Sequence, residues 1–573
     1  MAEIRITPDK RKGMGVLAGK VDAHLLTVVR DMPGRRRWQD RYLVFELTRS
    51  NIEYLQEHLP DAIWEIDRAT TIDHLRQLEE DARRAKEVDL PPEASHFLFK
   101  TKPRNHQLKS FSLSKDRKAF ALFLEQGLGK TKVILDTAAY LWSIGEIDTL
   151  LIDAPNGVHI QWLTEQLEIH MPDWVRYKAA VYKSPSNQTK SIKRAIEEVF
   201  DYHVGLRIFS MHHDAFVHKA GCDFAARVLH SGKVLWVIDE SSRKIKTAGA
   251  QRTKNTMKLR DSAAYRRILD GTPVTRGIED LYIPLRFLSD DIHGFSSFYT
   301  FRNRYCLTRQ VPGAPAGVVE IYGYKNLEEI QKRMDGWSIR LRSADCLDLP
   351  ERTYSKRYVE MTEMQKRLYS DLKNEYITQL DNGEVVTAEQ AIVKILRLQQ
   401  ILCGHVKDEE GNIHSVDTNR HIEALAAAEQ SGDKVIVWAR FHHDIDLLRQ
   451  TFKSFNPVVW DGRTPVQERM DNKEAFISRP DVGAFIANPG SAGTGVDGLQ
   501  KASHTAIWYS NTFKASERWQ ADARLFRDGQ VGTVNNIDLV VPGTVDVQIL
   551  RTLANRQDIA TRTLDMREYL EVT

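Results

Sequence analysis

The chain has 573 residues, a length that predicts about two to four folding units. Apolar residues make up 42% and charged residues 28%, which excludes a mainly disordered chain, and the net charge of +3 excludes a histone-like tail. None of the four cysteines lies in a C-x-x-C arrangement, so we expect a reducing compartment rather than a disulfide scaffold. No apolar run approaches about 18 residues and no signal peptide is visible, so we expect a cytoplasmic protein, in a nucleoid or a host cytoplasm, without membrane contact.

Residues 1–95 are predicted to form a small N-terminal α+β domain. The stretch GRRRWQDRYLVF (34–45) places Arg36 and Arg37 beside Trp38. Nucleic-acid bases stack on aromatic rings while guanidinium groups bind phosphates, so these three residues are candidate DNA contacts. The alternative, which the sequence leaves equally open, puts Trp38 in the core of this domain and the arginines on its surface.

Short apolar runs follow and predict strands that are buried on both faces. Helix-like stretches separate them, which favours βαβ units and two α/β lobes with parallel sheets. We expect the first lobe over 96–290, a helical region between the lobes over 291–420, and the second lobe over 421–573. The runs are AFALFL (119–124), TLLIDA (149–154), GLRIFS (205–210), VLWVID (234–239), YRRILD (265–270), KVIVWA (434–439), NPVVW (456–460), VGAFIA (482–487), TAIWY (505–509) and NNIDLVV (535–541).

The first of these runs leads into EQGLGKT (125–131), the arrangement of a phosphate-binding loop between a strand and a helix. Gly127 and Gly129 let backbone N–H groups approach phosphate oxygens. Lys130 would reach the β- and γ-phosphates of a nucleotide, and Thr131 would bind Mg²⁺. Leu124 occupies the first glycine position of the usual pattern, so a chance loop remains the alternative at this point.

The run VLWVID ends in Asp239 and Glu240. Carboxylates at the carboxyl end of a parallel strand lie where α/β sheets bind ligands. Asp239 is therefore a candidate Mg²⁺ ligand, and Glu240 a candidate group for orienting the attacking water. By itself such a pair is more often a solvated strand end, but its position after the glycine-rich loop favours a nucleotide site.

Several histidines cluster along the sequence and raise the question of a metal site. His212, His213 and His218 fall on one stretch, and His442 and His443 on another. No cysteine or carboxylate set completes a tetrahedral site at a recognisable spacing. We therefore expect neither a histidine metal site nor an HNH-type nuclease.

From about residue 100 to residue 545, the chain resembles the Swi/Snf-type ATPases of helicase superfamily two. The family's DEMGLGKT also lacks the first glycine, which accounts for Leu124. DESS stands where many relatives have DEAH, Asp270 replaces a threonine, and Ala523 replaces a glycine. The matching segments are PRNHQLKSF (103–111), EQGLGKT (125–131), APNGVHIQW (154–162), DESS (239–242), DGTP (270–273), IRLRSADCLDLPERTY (339–354), KVIVWARF (434–441), WDGRT (460–464), SAGTGVDGLQ (491–500) and WQADARLFRDGQ (519–530).

This resemblance implies two RecA-like P-loop NTPase lobes and assigns roles to individual residues. Gln107 would contact adenine, and Gln520 would also lie at the nucleotide. Arg524 and Arg527, three positions apart and on one face if helical, would act as arginine fingers from the second lobe; a solvated arginine face is the alternative. The implied contacts to the DNA backbone are Asn156, His159, Arg440 and Thr494, although Thr494 fits a plain turn equally well.

The resemblance therefore implies a DNA-dependent ATPase and double-strand DNA translocase that uses ATP and Mg²⁺. It would remodel or anneal branched DNA in replication, repair or recombination, because residues 34–60 are similar to the HARP module of annealing helicases. We expect a bacterial or phage monomer whose partners are duplex or branched DNA and replication or recombination proteins. The alternatives are a motor subunit of a restriction or defence system, an RNA-dependent ATPase and an inactive scaffold.

Overall fold

The computed structural model describes residues 5–8, 14–18, 36–39, 42–46, 55, 59–60, 62–64 and 97–564, except for 296, 312–317, 382–387, 409 and 493–495. The chain divides into a unit of residues 1–91 with 565–573 and a second unit of residues 92–564. The first unit thus ends at Pro91 rather than at the predicted residue 95. Within the described part of the chain, no helix is both long and apolar enough to cross a lipid bilayer.

The first unit contains a five-stranded sheet in the order β3-β4-β2-β1-β5. Ile6 and Leu17 face each other across the β1–β2 pair, and both are buried, so one side of this sheet covers a core. The helical part of the predicted α+β domain lies outside the described residues. The strands are β1 Arg5–Pro8, β2 Met14–Ala18, β3 Arg36–Gln39, β4 Tyr42–Glu46 and β5 Ile63–Trp64.

The second unit begins with a seven-stranded parallel sheet in the order β14-β6-β11-β10-β7-β9-β8. Residues along each central strand alternate between two apolar clusters, so both faces of the sheet are covered. The strands are β6 Ala119–Leu124, β7 Thr149–Ala154, β8 Tyr177–Val181, β9 Leu206–His212, β10 Val234–Ile238, β11 Tyr265–Leu269 and β14 Ser338–Leu341.

A second parallel sheet has six strands in the order β15-β22-β21-β18-β20-β19. Here too the central strands are buried on both faces, as continuous runs of β-branched and aromatic residues predict. The α/β class with two parallel sheets is therefore confirmed. The strands are β15 Arg352–Tyr358, β18 Val435–Trp438, β19 Val458–Trp460, β20 Ala484–Ala487, β21 Thr505–Trp508 and β22 Val534–Val540.

Helices cover the faces of both sheets, and two hairpins lie outside them, β12–β13 (Cys306–Gln310 and Val319–Tyr324) and β16–β17 (His405–Lys407 and Ile413–Ser415). A π-helical segment, Trp162–Gln166, joins α3 to α4. The α-helices are α1 Asn105–Ser114, α2 Lys130–Ser143, α3 Val158–Gln161, α4 Leu167–His170, α5 Lys190–Phe200, α6 Lys219–Leu229, α7 Ser241–Lys244, α8 Gln251–Leu259, α9 Tyr282–Leu288, α10 Phe298–Tyr305, α11 Leu327–Met334, α12 Ser343–Cys346, α13 Glu363–Asp381, α14 Ala388–Cys403, α15 Arg420–Ser431, α16 His442–Thr451, α17 Val466–Ser478, α18 Pro489–Ala492, α19 Ala515–Asp522 and α20 Val545–Leu564.

The boundary between the two lobes differs from the predicted region over 291–420. β14 pairs with β6 in the first sheet, and β15 pairs with β22 in the second. The chain therefore passes from one lobe to the other between Leu341 and Arg352. β14 has only four residues and β15 is polar and largely exposed, so neither carries the long apolar run that predicts a buried strand.

Candidate nucleotide site between the two lobes

The loop after β6 has the backbone of an anion-binding turn. Gly127 and Gly129 adopt φ values of 84° and 78°, a left-handed conformation that favours glycine. Gly129 is also the residue that caps α2, so the unpaired N–H groups of the first helical turn open onto the loop. These donors and the positive end of the helix dipole together suit a phosphate group.

Lys130, the first residue of α2, folds back over this loop. Its Nζ donates to the carbonyl oxygens of Leu124 at 2.8 Å and Glu125 at 3.3 Å. Burial lowers the pKa of Lys130, while the nearby carboxylates of Asp239, Asp270 and Glu240 raise it. The ammonium group therefore lies between the loop and an acidic cluster, where it can exchange carbonyl oxygens for phosphate oxygens.

The helix α1 packs its first turn against the same loop. His106 Nε2 and Gln107 Nε2 both lie within hydrogen-bond distance of the Leu128 carbonyl oxygen, at 3.0 and 3.3 Å. A Cβ on Gly129 would lie 2.2 Å from Gln107 Nε2, so an alanine here would displace the end of the Gln107 side chain as well as adopt an unfavourable φ angle. The structure thus brings Gln107, the predicted adenine contact, onto the backbone of the loop.

Asp239 lies at the carboxyl end of β10, two strands away from β6 in the sheet. Trp162 Nε1 donates to its Oδ2 at 3.1 Å, and the Glu240 N–H donates to its Oδ1 at 3.0 Å. Burial raises the pKa of Asp239, and the charge of Lys130 opposes that shift. Thr131 is the second residue of α2, so its hydroxyl belongs to the same edge of the sheet as the carboxylate.

Glu240 connects the first lobe to the second. It has a φ of 46°, which costs on the order of 1 kcal/mol or more for a residue with a side chain. Its Oε2 pairs with Arg243 Nε at 2.8 Å and accepts from Gln520 Nε2 at 3.4 Å. Arg243 also donates to the side-chain oxygen of Gln520. Burial raises the pKa of Glu240, and Arg243 opposes the shift.

Asp270 ties the turn after β10 to the turn after β11. It accepts hydrogen bonds from Ser241 Oγ at 3.2 Å, from the Ser242 N–H at 2.7 Å and from the Thr272 N–H at 2.8 Å. The two serines of DESS and the aspartate of DGTP, both departures from the family pattern, therefore bond to each other.

Arg524 and Arg527 do not share a helix face as predicted, because α19 ends at Asp522 and both arginines lie in the turns that follow. The turns still bring them together. Both Nη1 atoms donate to Asp497 Oδ1, at 2.7 Å from Arg524 and 2.5 Å from Arg527. The position of a Cβ on Gly127 lies 3.4 Å from Arg527 Cβ and 3.9 Å from its Nη2. Arg527 of the second lobe thus lies directly on the phosphate-binding loop of the first.

A further ion pair joins the lobes at the edge of this site. Arg104 Nη2, just before α1, lies 2.6 Å from Asp528 Oδ2, next to Arg527. Both side chains are about half exposed, so the pair contributes at most about 1 kcal/mol. Together these contacts form a cleft with backbone N–H groups that can bind an anion, two carboxylates, and cationic side chains from both lobes. These are the groups that phosphoryl transfer requires.

A buried network beneath Asp239 was not predicted. The Asp239 N–H donates to the Asp153 carbonyl oxygen at 2.8 Å, and Asp153 Oδ1 lies 2.8 Å from His213 Nδ1. Lys244 pairs with Asp153 Oδ2, and both side chains are fully buried. Burial lowers the pKa of His213 to about 4. The only local signal in the sequence was Asp153, an acidic residue at the next-to-last position of the apolar run TLLIDA.

The predicted DNA contacts of the second unit are not gathered in one exposed patch. Asn156 lies on the surface in the loop after β7. His159 is buried, with its ring 5.5 Å from that of His212, and its contact with the DNA backbone stays a prediction. Arg440 is half-buried and donates to Gln399 Oε1 at 2.8 Å. Thr494 lies outside the described residues.

The three candidates of the first unit lie on one strand. Arg36, Arg37 and Trp38 belong to β3, which pairs only with β4 and is an edge strand of its sheet. An edge strand has one side without a ladder partner in its own sheet. Their position is compatible with either interpretation of this segment.

The model of the SNF2-related domain family matches residues 76–407 of this chain. The chain is similar to an uncharacterized ATP-dependent helicase of Mycoplasma genitalium, 23% identical over 342 residues (58% of this chain, 31% of the relative). It is also similar to DNA repair and recombination protein RAD54B of Gallus gallus, 24% identical over 365 residues (56% and 39%), and to RAD54-like of Danio rerio, 21% identical over 496 residues (78% and 64%). The matched segments thus span less than two thirds of each of these relatives.

Among solved structures, the chain is similar to the SWI2/SNF2 ATPase core of Sulfolobus solfataricus in complex with double-stranded DNA. The identity is 21% and the TM-score 0.37, over 85% of this chain and 99% of that one. The family model covers more than half of the chain. This protein therefore belongs to the SNF2-related domain family.

Proposed function

We propose that the protein hydrolyses ATP in the cleft between its lobes and uses the cycle to move along duplex DNA. The observation that carries this proposal is the contact of Arg527 with Gly127 across the cleft. A nucleotide on the loop would meet backbone donors and Lys130 from one lobe and Arg527 from the other. Only a closed arrangement of the lobes supplies all of these groups.

In this proposal each residue has a distinct task. The loop and Lys130 hold the phosphates, and Glu240, kept in place by Arg243 and Gln520, orients the attacking water. Arg527 stabilises the charge that develops on the transferred phosphoryl group. Arg524, which also donates to the Val496 carbonyl oxygen at 3.0 Å, positions the turn that carries it.

Asp239 and Thr131 suit a magnesium ion, because carboxylate and hydroxyl oxygens are the hard ligands it prefers. Asp239 is buried, and no cation of the described residues forms an ion pair with it, which supports the same interpretation. When bound, the ion would neutralise charge on the β- and γ-phosphates. The chain's own part is to present the two oxygens at one edge of the sheet.

Hydrolysis would weaken the bridge between the lobes and let them part, so that alternate grips on the DNA backbone produce a step. We extend the proposal to remodelling or annealing of branched DNA in repair or recombination. It is supported by the similarity to the two RAD54 relatives, which are DNA repair and recombination proteins, and by the arginine-rich edge strand β3 of the first unit.

The test is steady-state ATP hydrolysis without nucleic acid and with single-stranded DNA, duplex DNA, a model fork or RNA. Lys130→Ala is the inactive reference, and Lys190→Ala, an exposed lysine of α5, is the matched control. We expect stimulation by duplex or fork DNA that Lys130→Ala abolishes and Lys190→Ala retains. Stimulation by RNA alone would refute the DNA proposal, and activity only with a copurifying nuclease or methylase would indicate a defence-system motor.

The branched-DNA part is tested separately with the full chain carrying Arg36→Ala, Arg37→Ala and Trp38→Ala. We expect duplex-stimulated hydrolysis to persist and the preference for forks to fall. The control removes two exposed positive charges elsewhere, with Lys190→Ala and Lys193→Ala. An equal preference for forks in both variants would indicate that β3 has a structural role and does not recognise branched DNA.

A further inference from the structure

His405, His443 and Asp444 form a cluster that the nucleotide site does not use. One potential ligand atom from each residue lies within 4.8 Å of the other two. His405 begins the hairpin strand β16, while His443 and Asp444 lie in the first turn of α16. His443 belongs to the histidine stretch for which no metal site was expected, because His405 lies about 40 residues away in the chain and the spacing matches no metal motif.

Each residue of this cluster has one buried polar atom that makes no hydrogen bond to another described residue. His405 is 1% exposed and Asp444 is fully buried, yet His405 Nδ1, His443 Nδ1 and Asp444 Oδ1 have no hydrogen-bond partner within the described part of the chain. An unsatisfied buried polar atom costs about 1–3 kcal/mol, and three in one place require an explanation.

The geometry around the cluster is that of oriented ligands. His405 Nδ1 and Asp444 Oδ1 lie 3.4 Å apart, which equals the spacing of about 3.4 Å between ligands of a tetrahedral zinc with bonds of about 2.1 Å. Ser415 Oγ bonds His443 Nε2 at 3.0 Å, and Ser510 Oγ donates to Asp444 Oδ2 at 2.7 Å. Two of the three residues thus have a hydrogen bond to the atom that faces away from the cluster, and such bonds fix the orientation of rings and carboxylates in metal sites.

We propose that His405, His443 and Asp444 bind a divalent metal of the zinc class. Two imidazole nitrogens and one carboxylate oxygen suit zinc, with a fourth position left for water or another donor. His443 is half-buried and Ser415 exposed, which leaves an entry path from solvent. The metal would fasten the β16–β17 hairpin to α16, on the second lobe.

The test uses the full chain, stripped with a chelator, and zinc or cobalt(II) as the probe. We expect about one zinc per chain to remain after dialysis, measured by elemental analysis, and a higher melting temperature with zinc. Asp444→Asn and His405→Gln should lose the metal. His442→Gln, next to the cluster with its Nδ1 near Asp461, should retain it. Ser415→Ala should weaken binding by about 10- to 100-fold.

Equal zinc content in Asp444→Asn and His442→Gln would overturn the proposal, and so would no zinc retained by the unchanged protein. If the variants unfold, the test is the visible absorption spectrum of the protein without substitutions, loaded with cobalt(II). Strong visible absorption of tetrahedral cobalt supports the site, and the weak spectrum of hydrated cobalt refutes it. None of these measurements depends on ATP hydrolysis.

Discussion

Replacing Arg527 by alanine removes a cation of the second lobe that lies on the phosphate-binding loop. Its Nη2 is 3.9 Å from the Cβ position of Gly127, so we take about 4 Å, an ion-pair distance, as the separation between the guanidinium and a phosphate bound to that loop. Opposite unit charges at about 4 Å attract by about 4 kcal/mol at an effective dielectric constant near 20. At 1.36 kcal/mol per tenfold change, this corresponds to about a 10³-fold loss in kcat.

The assay is DNA-stimulated ATP hydrolysis alongside equilibrium binding of a fluorescent ATP analogue. We expect Arg527→Ala to lose turnover by about this factor while nucleotide binding changes little, since the loop and Lys130 belong to the other lobe. Arg479→Ala, an exposed arginine of the second lobe paired only with Asp481 among the described residues, is the matched control. Turnover of Arg527→Ala equal to that of the control would refute the role of Arg527 at the γ-phosphate.

Three further outcomes follow from contacts at the site. Gly129→Ala and Gly145→Ala both place alanine at a positive φ, which costs about 1 kcal/mol of stability in each variant. Only Gly129→Ala displaces Gln107, so only this variant should bind ATP more weakly in a titration. Equal affinities of the two variants for ATP would contradict the packing argument. Trp162→Phe removes a hydrogen bond that lowers the pKa of Asp239, so the acid limb of the pH–rate profile should move to higher pH, whereas Trp174→Phe should leave it in place. Burial lowers the pKa of His213 to about 4, below the 6.5 of an unfolded histidine, so stability is fully present above pH 6.5 and is lost as the pH falls toward 4. His213→Gln should make that decline in melting temperature shallower, and the same change at exposed His203 should not.

Much of the fold could be predicted because its central strands are buried on both faces. AFALFL, TLLIDA and VLWVID became β6, β7 and β10 almost residue for residue. β8, β14 and β15 escaped prediction, since edge strands need not be apolar throughout. The pairing of β14 and β15 with distant strands depends on contacts that no local pattern encodes.

In the candidate site, too, some features have a local pattern in the sequence, whereas others depend on contacts between distant segments. The glycine-rich loop and the Asp239–Glu240 pair have local signatures in the sequence, and their placement at one sheet edge follows from topology. The partners of those residues do not have such signatures. Gln520 reaches Glu240 across the cleft, and Asp497 binds both arginines, through contacts between segments far apart in the chain.

The passage from β14 to β15 has a mechanical consequence. Residues 342–351 join two edge strands, and each strand is held in its sheet by a ladder of backbone hydrogen bonds. Arg340 of β14 donates to the carbonyl oxygens of Phe123 at 3.3 Å and Gly271 at 3.0 Å, beside the turns that shape the nucleotide cleft. A rotation of the second lobe would therefore act, through this short connection, on the backbone around the phosphate-binding loop of the first lobe. Lengthening the connection with flexible residues should leave both lobes folded and ATP hydrolysis intact, but hydrolysis should no longer move the protein along DNA.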